Sequence, residues 1–90
     1  MQKFKDANEL VKTLQPNFPV YCIRPESIKS SVNFFKKNFL GKILYAVKTN
    51  PNEKVLKHII NSGIEHFDVA SINEIKLIKK LKPNMKLYFM

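Results

Sequence analysis

Two side chains in this sequence combine a reactive type with a setting that could use it: Lys48 and Asp68. Lys48 follows the run Ile43-Leu-Tyr-Ala-Val47 and stands just before Asn50-Pro51. A short apolar run closed by turn residues reads as a fully buried strand. Desolvation beside apolar walls favours the neutral form of an amine, and a neutral amine attacks an aldehyde to give a Schiff base. Lys48 is therefore the candidate nucleophile. The competing reading is structural: of sixteen basic residues only Arg24 is not lysine, and a lysine at a strand end commonly reaches into solvent. Asp68 lies in Phe67-Asp-Val-Ala-Ser71. A carboxylate in an otherwise apolar strand needs a partner, which a nearby lysine or protonated imine would supply. Its structural alternative is to accept from backbone N–H groups opening the next helix.

The elements that must position these two residues follow from periodicity and punctuation. Asp6 to Leu14 sets Leu10, Val11 and Leu14 at helical spacing. Pro19 to Ile23 reads as a strand with proline at its first position, and Pro25 opens a helix. From Glu26 to Phe39, Ile28, Val32, Phe35 and Phe39 form one core-facing stripe, with Gly41 as the stop. After the Lys48 strand, Asn50 and Pro51 suit the N-cap and first position of a helix to Asn61. That helix turns Val55, Leu56, Ile59 and Ile60 inward, leaves His58 in solvent, and stops at Ser62-Gly63. Glu65 to Ala70 is the next strand. Ser71 and Glu74 form a capping box for a helix lined by Ile72, Ile75, Ile78 and Leu81, which Lys82-Pro83-Asn84 ends. Lys86 to Met90 begins a last apolar run.

This alternation of strand and helix with short connections predicts an α/β fold with parallel strands and helical crossovers. The terminal strand leaves a sheet edge without a neighbour, so the chain is expected to be a piece of a barrel or of an open doubly wound sheet that continues elsewhere. In either, Lys48 and Asp68 fall near the carboxyl ends of neighbouring strands, where α/β proteins place their active sites.

Composition narrows the function classes. Ninety residues allow one modest core, and 44% apolar residues with seven Phe and three Tyr fit a folding chain. The net charge of +9 raises nucleic-acid binding, but the lysines are dispersed and a single arginine offers little fork-like recognition. Cys22 is the only cysteine, which excludes an intramolecular disulfide, and its setting in Val20-Tyr-Cys-Ile23 reads as a small core position. No stretch is apolar for the roughly 18 residues that a membrane helix needs, so a cytoplasmic protein is expected.

The combination Tyr45-Ala-Val-Lys48-x-Asn50, a helix, then Phe67-Asp-Val-Ala-Ser71 with Glu74-Ile75 resembles the N-terminal part of the ornithine decarboxylase group. That group comprises pyridoxal-phosphate decarboxylases of ornithine, lysine, arginine and diaminopimelate, sharing an alanine-racemase-like (β/α)8 TIM barrel. The resemblance implies an incomplete barrel over residues 25–90, made of its first strands and helices. It also implies that the strand at 18–24 belongs to the family's β-sheet domain. Phe67-Asp-Val-Ala-Ser71 is closer to the ornithine-type enzymes, of polyamine biosynthesis, than to the diaminopimelate decarboxylases, so a basic amino acid is the implied substrate class. By the same resemblance Lys48 binds pyridoxal 5'-phosphate covalently as a Schiff base, and Asp68 stands beside that linkage and sets its charge.

The departures bear on activity. The family's glycine-rich phosphate loops, its cofactor-stacking histidine, the acid at the pyridine nitrogen and the residues given by the partner subunit of its homodimer match nothing here. The chain has only Gly41 and Gly63, both read as helix stops. These ninety residues are therefore expected to be inactive alone, completed by a downstream C-terminal barrel and β-domain or by a separate chain. The alternatives are a truncated non-catalytic remnant or interaction module and, behind it, a basic nucleic-acid binder.

Overall fold

A computed structural model describes residues 2–89. The chain runs α1 (Ala7–Leu14), α2 (Pro25–Asn38), β1 (Leu44–Ala46), a 3-10 turn (Val47–Thr49), α3 (Glu53–Asn61), β2 (His66–Val69), α4 (Ile72–Leu81) and β3 (Lys86–Phe89). Met90, the end of the last expected strand, lies outside the described residues. The three strands form one parallel sheet in the order β1-β2-β3. Its register sets Leu44, Tyr45 and Ala46 beside His66, Phe67 and Asp68, and sets His66 to Val69 beside Lys86 to Phe89.

Alternation along β2 decides where the core lies. Phe67 and Val69 are buried while His66 and Asp68 are half-buried, so the two faces of the sheet differ. Phe67 and Val69 share one cluster with Val32 of α2, Leu56 and Ile59 of α3, Ile78 of α4, and Val47 of the turn. All three helices thus cover a single face, an arrangement compatible with a barrel segment. The other face carries Leu44, Ala46, His66, Asp68, Lys86 and Tyr88 with no helix over it. No described residue before Ile28 belongs to the core or packs against it, and α1 buries none of its side chains.

Local chemistry explains the boundaries. Pro25 opens α2 as expected. The third helix begins later than Asn50-Pro51 predicts, because Asn52 is its N-cap: Oδ1 accepts from the Lys54 and Val55 N–H groups at 2.9 and 3.4 Å. Asn50 instead accepts from the Asn52 N–H at 3.1 Å, a side-chain turn that sets up the cap. Gly63 ends that helix region with φ +105, a backbone conformation that only glycine adopts freely. The Ser71 half of the capping box is present, with Ser71 Oγ accepting from the Glu74 N–H at 3.2 Å, while Glu74 Oε1 accepts from the Ala70 N–H, one residue before the cap, at 2.9 Å. Ser71→Ala is expected to cost about 1 kcal/mol, seen as a lower urea midpoint that Ser71→Asp restores.

Five expectations are corrected. The strand at 18–24 does not form: a strand exists only against a ladder partner, none of the three described strands runs beside it, and Tyr21 is fully exposed at 101%. Cys22 on that segment is exposed, not a core residue. The Ile43–Val47 run is not fully buried, because β1 spans only Leu44–Ala46 and one of its faces lacks a covering layer. In the apolar stripes the ends stay open. Phe35 and Phe39 remain 54% exposed and Ile72 is 62% exposed, whereas Val32 and Ile78 are buried at the centre. Gly41 is not the stop of α2, which ends at Asn38 with Phe39 as its cap.

Candidate functional site

Lys48 is reached through a tight local construction. After Ala46 the chain leaves the sheet in the 3-10 turn, and the two residues beside each other there have opposite fates: Val47 is fully buried and Lys48 is exposed. Val47 anchors the turn in the core, beside β2, and Lys48 is presented at the carboxyl end of β1. The turn is closed by Tyr45, whose hydroxyl donates to the Asn50 carbonyl at 3.1 Å across the residues carrying Lys48. The Tyr45 ring packs edge-on against Phe67, with centroids 6.3 Å apart and planes at 74°. A core aromatic on the central strand thereby holds the residue that ties the turn. The desolvated lysine predicted from the apolar run is not found. The turn takes the residue out of the sheet and leaves it exposed.

Asp68 lies on β2 opposite Ala46, two residues before Lys48 in the chain, so both predicted site residues sit at the same end of adjacent strands. They do not form an ion pair, since Lys80 with Glu53, at 3.0 Å, is the only ion pair among the described residues. That pair joins α3 to α4 at the surface, and Lys80 holds the Glu53 carboxyl below its ordinary range. The structural alternative for Asp68 is also not realised. The Glu74 N–H goes to Ser71 Oγ and the Ala70 N–H, just before the cap, goes to Glu74 Oε1, so the Asp68 carboxylate is left without a hydrogen-bond partner among the described residues.

One pairing on this face escaped the sequence. His66 Nδ1 and Tyr88 Oη are 3.0 Å apart, joining β2 to β3 beside Asp68. The residues are far apart in the chain, and only the parallel register, with Asp68 opposite Tyr88, brings them together. His58 is half-buried on α3, and no group of three or more potential metal ligands occurs among the described residues. One concavity, of about 490 Å³, lies between α2, β1 and α3, lined by Ile28, Val32, Phe35 and Tyr45. Another, of about 270 Å³, lies at the opposite end of the strands near Gly41 and Gly63. Neither is lined by Lys48 or Asp68.

Burial raises the Tyr45 phenol above its ordinary value of 10.0. A folded-state value above the unfolded one means that the contribution is complete below the unfolded value and disappears as pH rises through the folded one. The expected result is a loss of stability on the alkaline side of pH 10 that Tyr45→Phe removes. The same variant loses roughly 1 kcal/mol at neutral pH with its hydrogen bond, so urea midpoints against pH for the two proteins separate the effects.

Among known proteins, a family model described as pyridoxal-dependent decarboxylase, pyridoxal binding domain, matches residues 25–86. The match begins at the first residue of α2 and ends at the first residue of β3, so it takes in all of the buried core residues, from Val32 to Met85. No curated protein and no solved structure matches the chain. No helix among the described residues is long and apolar enough to cross a membrane.

Proposed function

Because the chain belongs to the family of the pyridoxal-dependent decarboxylase pyridoxal-binding domain, we propose that it is the cofactor-anchoring segment of a decarboxylase of the ornithine type, acting on a basic amino acid. The observation that carries this reading is the presentation of Lys48. A tied turn fixes a primary amine at the carboxyl end of β1, with no ion pair engaging it and a carboxylate free of hydrogen bonds at the same end of the next strand.

These residues fit pyridoxal phosphate by the chemistry of their groups. Lys48 would hold its aldehyde covalently, and Asp68 would supply the counter-charge beside it. When bound, the cofactor supplies an electron sink for the charge left on the substrate carbon as carbon dioxide departs. The phosphate is held elsewhere. Gly41 and Gly63 precede β1 and β2, at the amino ends of the strands, and cannot cradle a group attached near Lys48. Sequential parallel strands with helices on one face support a (β/α)8 barrel as the complete fold. We place its remaining strands, the phosphate loop and the second domain on further polypeptide, in a homodimer. The test is reductive trapping: borohydride added with pyridoxal phosphate fixes the label on the peptide carrying Lys48, and labelling scattered over many lysines overturns the reading.

A further inference from the structure

The uncovered face of the sheet holds an arrangement that neither the family match nor the sequence explains. Its titratable groups are His66 and Asp68 of β2 and Lys86 and Tyr88 of β3, with Lys48 at its rim from the turn after β1. The residues that β1 adds, Leu44 and Ala46, are apolar, and no helix packs on this side. Apart from the Lys80–Glu53 ion pair, the His66–Tyr88 contact at 3.0 Å is the only hydrogen bond between two side chains among the described residues. It runs along a diagonal. The direct cross-strand neighbour of Tyr88 is Asp68, and that of His66 is Lys86.

That diagonal is informative because a closer acceptor is at hand. Residues paired across a sheet are about 5 Å apart, whereas diagonal ones are about 7–8 Å apart. The residue paired with Tyr88 carries a carboxylate, which is a stronger acceptor for a phenol than a neutral imidazole. The tilted stacking of the two rings, with centroids 5.8 Å apart at 40°, adds to the hold of His66 on Tyr88. Whichever ring nitrogen carries the proton, the pairing tethers the phenol oxygen at His66. The consequence is that the carboxylate of Asp68, the one nearest the Lys48 turn on this face, receives no hydrogen bond from another side chain among the described residues.

We propose that His66 is a positioning residue that holds the Tyr88 hydroxyl away from Asp68, so that the Asp68 carboxylate stays free to support a cationic linkage at Lys48. The inference rests on the cofactor-anchoring reading of Lys48. It assigns no contact between His66 and the cofactor. Released from His66, the Tyr88 hydroxyl turns to Asp68, disperses its charge, and makes protonation of the Lys48 linkage less favourable.

The test measures borohydride-trapped pyridoxyl label at Lys48 against pH, with a urea midpoint for each protein, in the wild type, His66→Phe, His66→Gln and the double variant His66→Phe/Tyr88→Phe. In His66→Phe the pH of half-maximal trapping falls, and label at mildly alkaline pH drops about threefold or more. His66→Gln, which can still bond the phenol, and the double variant, which has no phenol to release, trap as the wild type does. The double variant separates this role from a merely structural one, because it removes the same hydrogen bond. Trapping by His66→Phe that equals wild type, a double variant as impaired as His66→Phe, or a loss of label that follows the urea midpoint overturns the inference alone. Absence of Lys48 label in the wild type overturns the anchoring reading and this inference together.

Discussion

Replacing Lys48 by alanine is expected to reduce covalent capture of pyridoxal phosphate to the scattered background of the other lysines, a fall of roughly tenfold in label on that peptide. The expectation follows from position. Every lysine carries the same amine, so selectivity must come from what surrounds one of them. Most of the lysines lie on helices or loops, whereas Lys48 stands on a turn whose conformation is fixed at both ends, by buried Val47 and by the Tyr45–Asn50 hydrogen bond. A fixed amine loses less freedom on forming the linkage than one on a mobile stem. Lys48→Arg is the sharper control. It keeps the charge and most of the length but cannot form a Schiff base, so it must lose the label as completely as alanine does. Because Lys48 is exposed, both variants should retain the wild-type urea midpoint. Mass mapping of the reduced peptides reads the result, and a Lys48→Ala protein that keeps its label would remove the assignment.

The second large effect concerns the fold. Phe67→Ala is expected to leave the chain unfolded, because it removes the largest fully buried side chain from the central strand of the sheet. Truncating a buried phenylalanine costs about 3–5 kcal/mol, and a core of this size supplies only about as much net stability. Phe67 also carries Tyr45 on its edge, so the cavity would reach the tie that holds the Lys48 turn. Phe18→Ala is the matched control. At 69% exposure it should change stability by no more than about 0.5 kcal/mol. Circular dichroism and urea titration of the two variants check the contrast, and a cooperatively folded Phe67→Ala protein would show that the core lies elsewhere.

What could be read from the residues alone was what local chemistry decides. Ser71 with Glu74, Pro25, and Ser62-Gly63 each act within one turn of chain, and each marks a helix end in the structure. The central apolar residues Val32, Leu56, Ile59 and Ile78 entered the core because any helix packing on the sheet must use the middle of its stripe. The failures are non-local. Asn50 and Asn52 are equally good caps by type, and only the turn geometry set by Tyr45 selects the second. The apolar run before Lys48 looks the same whether one or both faces of its strand are covered, so its burial and that of the lysine were overstated. Pro19 to Ile23 has strand composition, but composition does not supply a partner. His66 and Tyr88 share no local pattern, and their pairing depends on a register that no single segment encodes. Lys48 and Asp68 were brought to one end of the sheet as expected, since parallel topology alone guarantees it.

The strand order β1-β2-β3 is also the order of synthesis. Leu44 pairs with His66, and His66 with Lys86, separations of 22 and 20 residues. Each pairing therefore closes a single loop through one helix, and none waits for a distant part of the chain. Such local closure costs little entropy and favours rapid assembly by successive addition. The first addition brings β2 against β1 with α3 over both, which buries Phe67 beneath Tyr45 and draws the Asn50 carbonyl to its hydroxyl. The Lys48 turn is thus a product of the first step in building the core, in place before β3 brings Tyr88 within reach of His66.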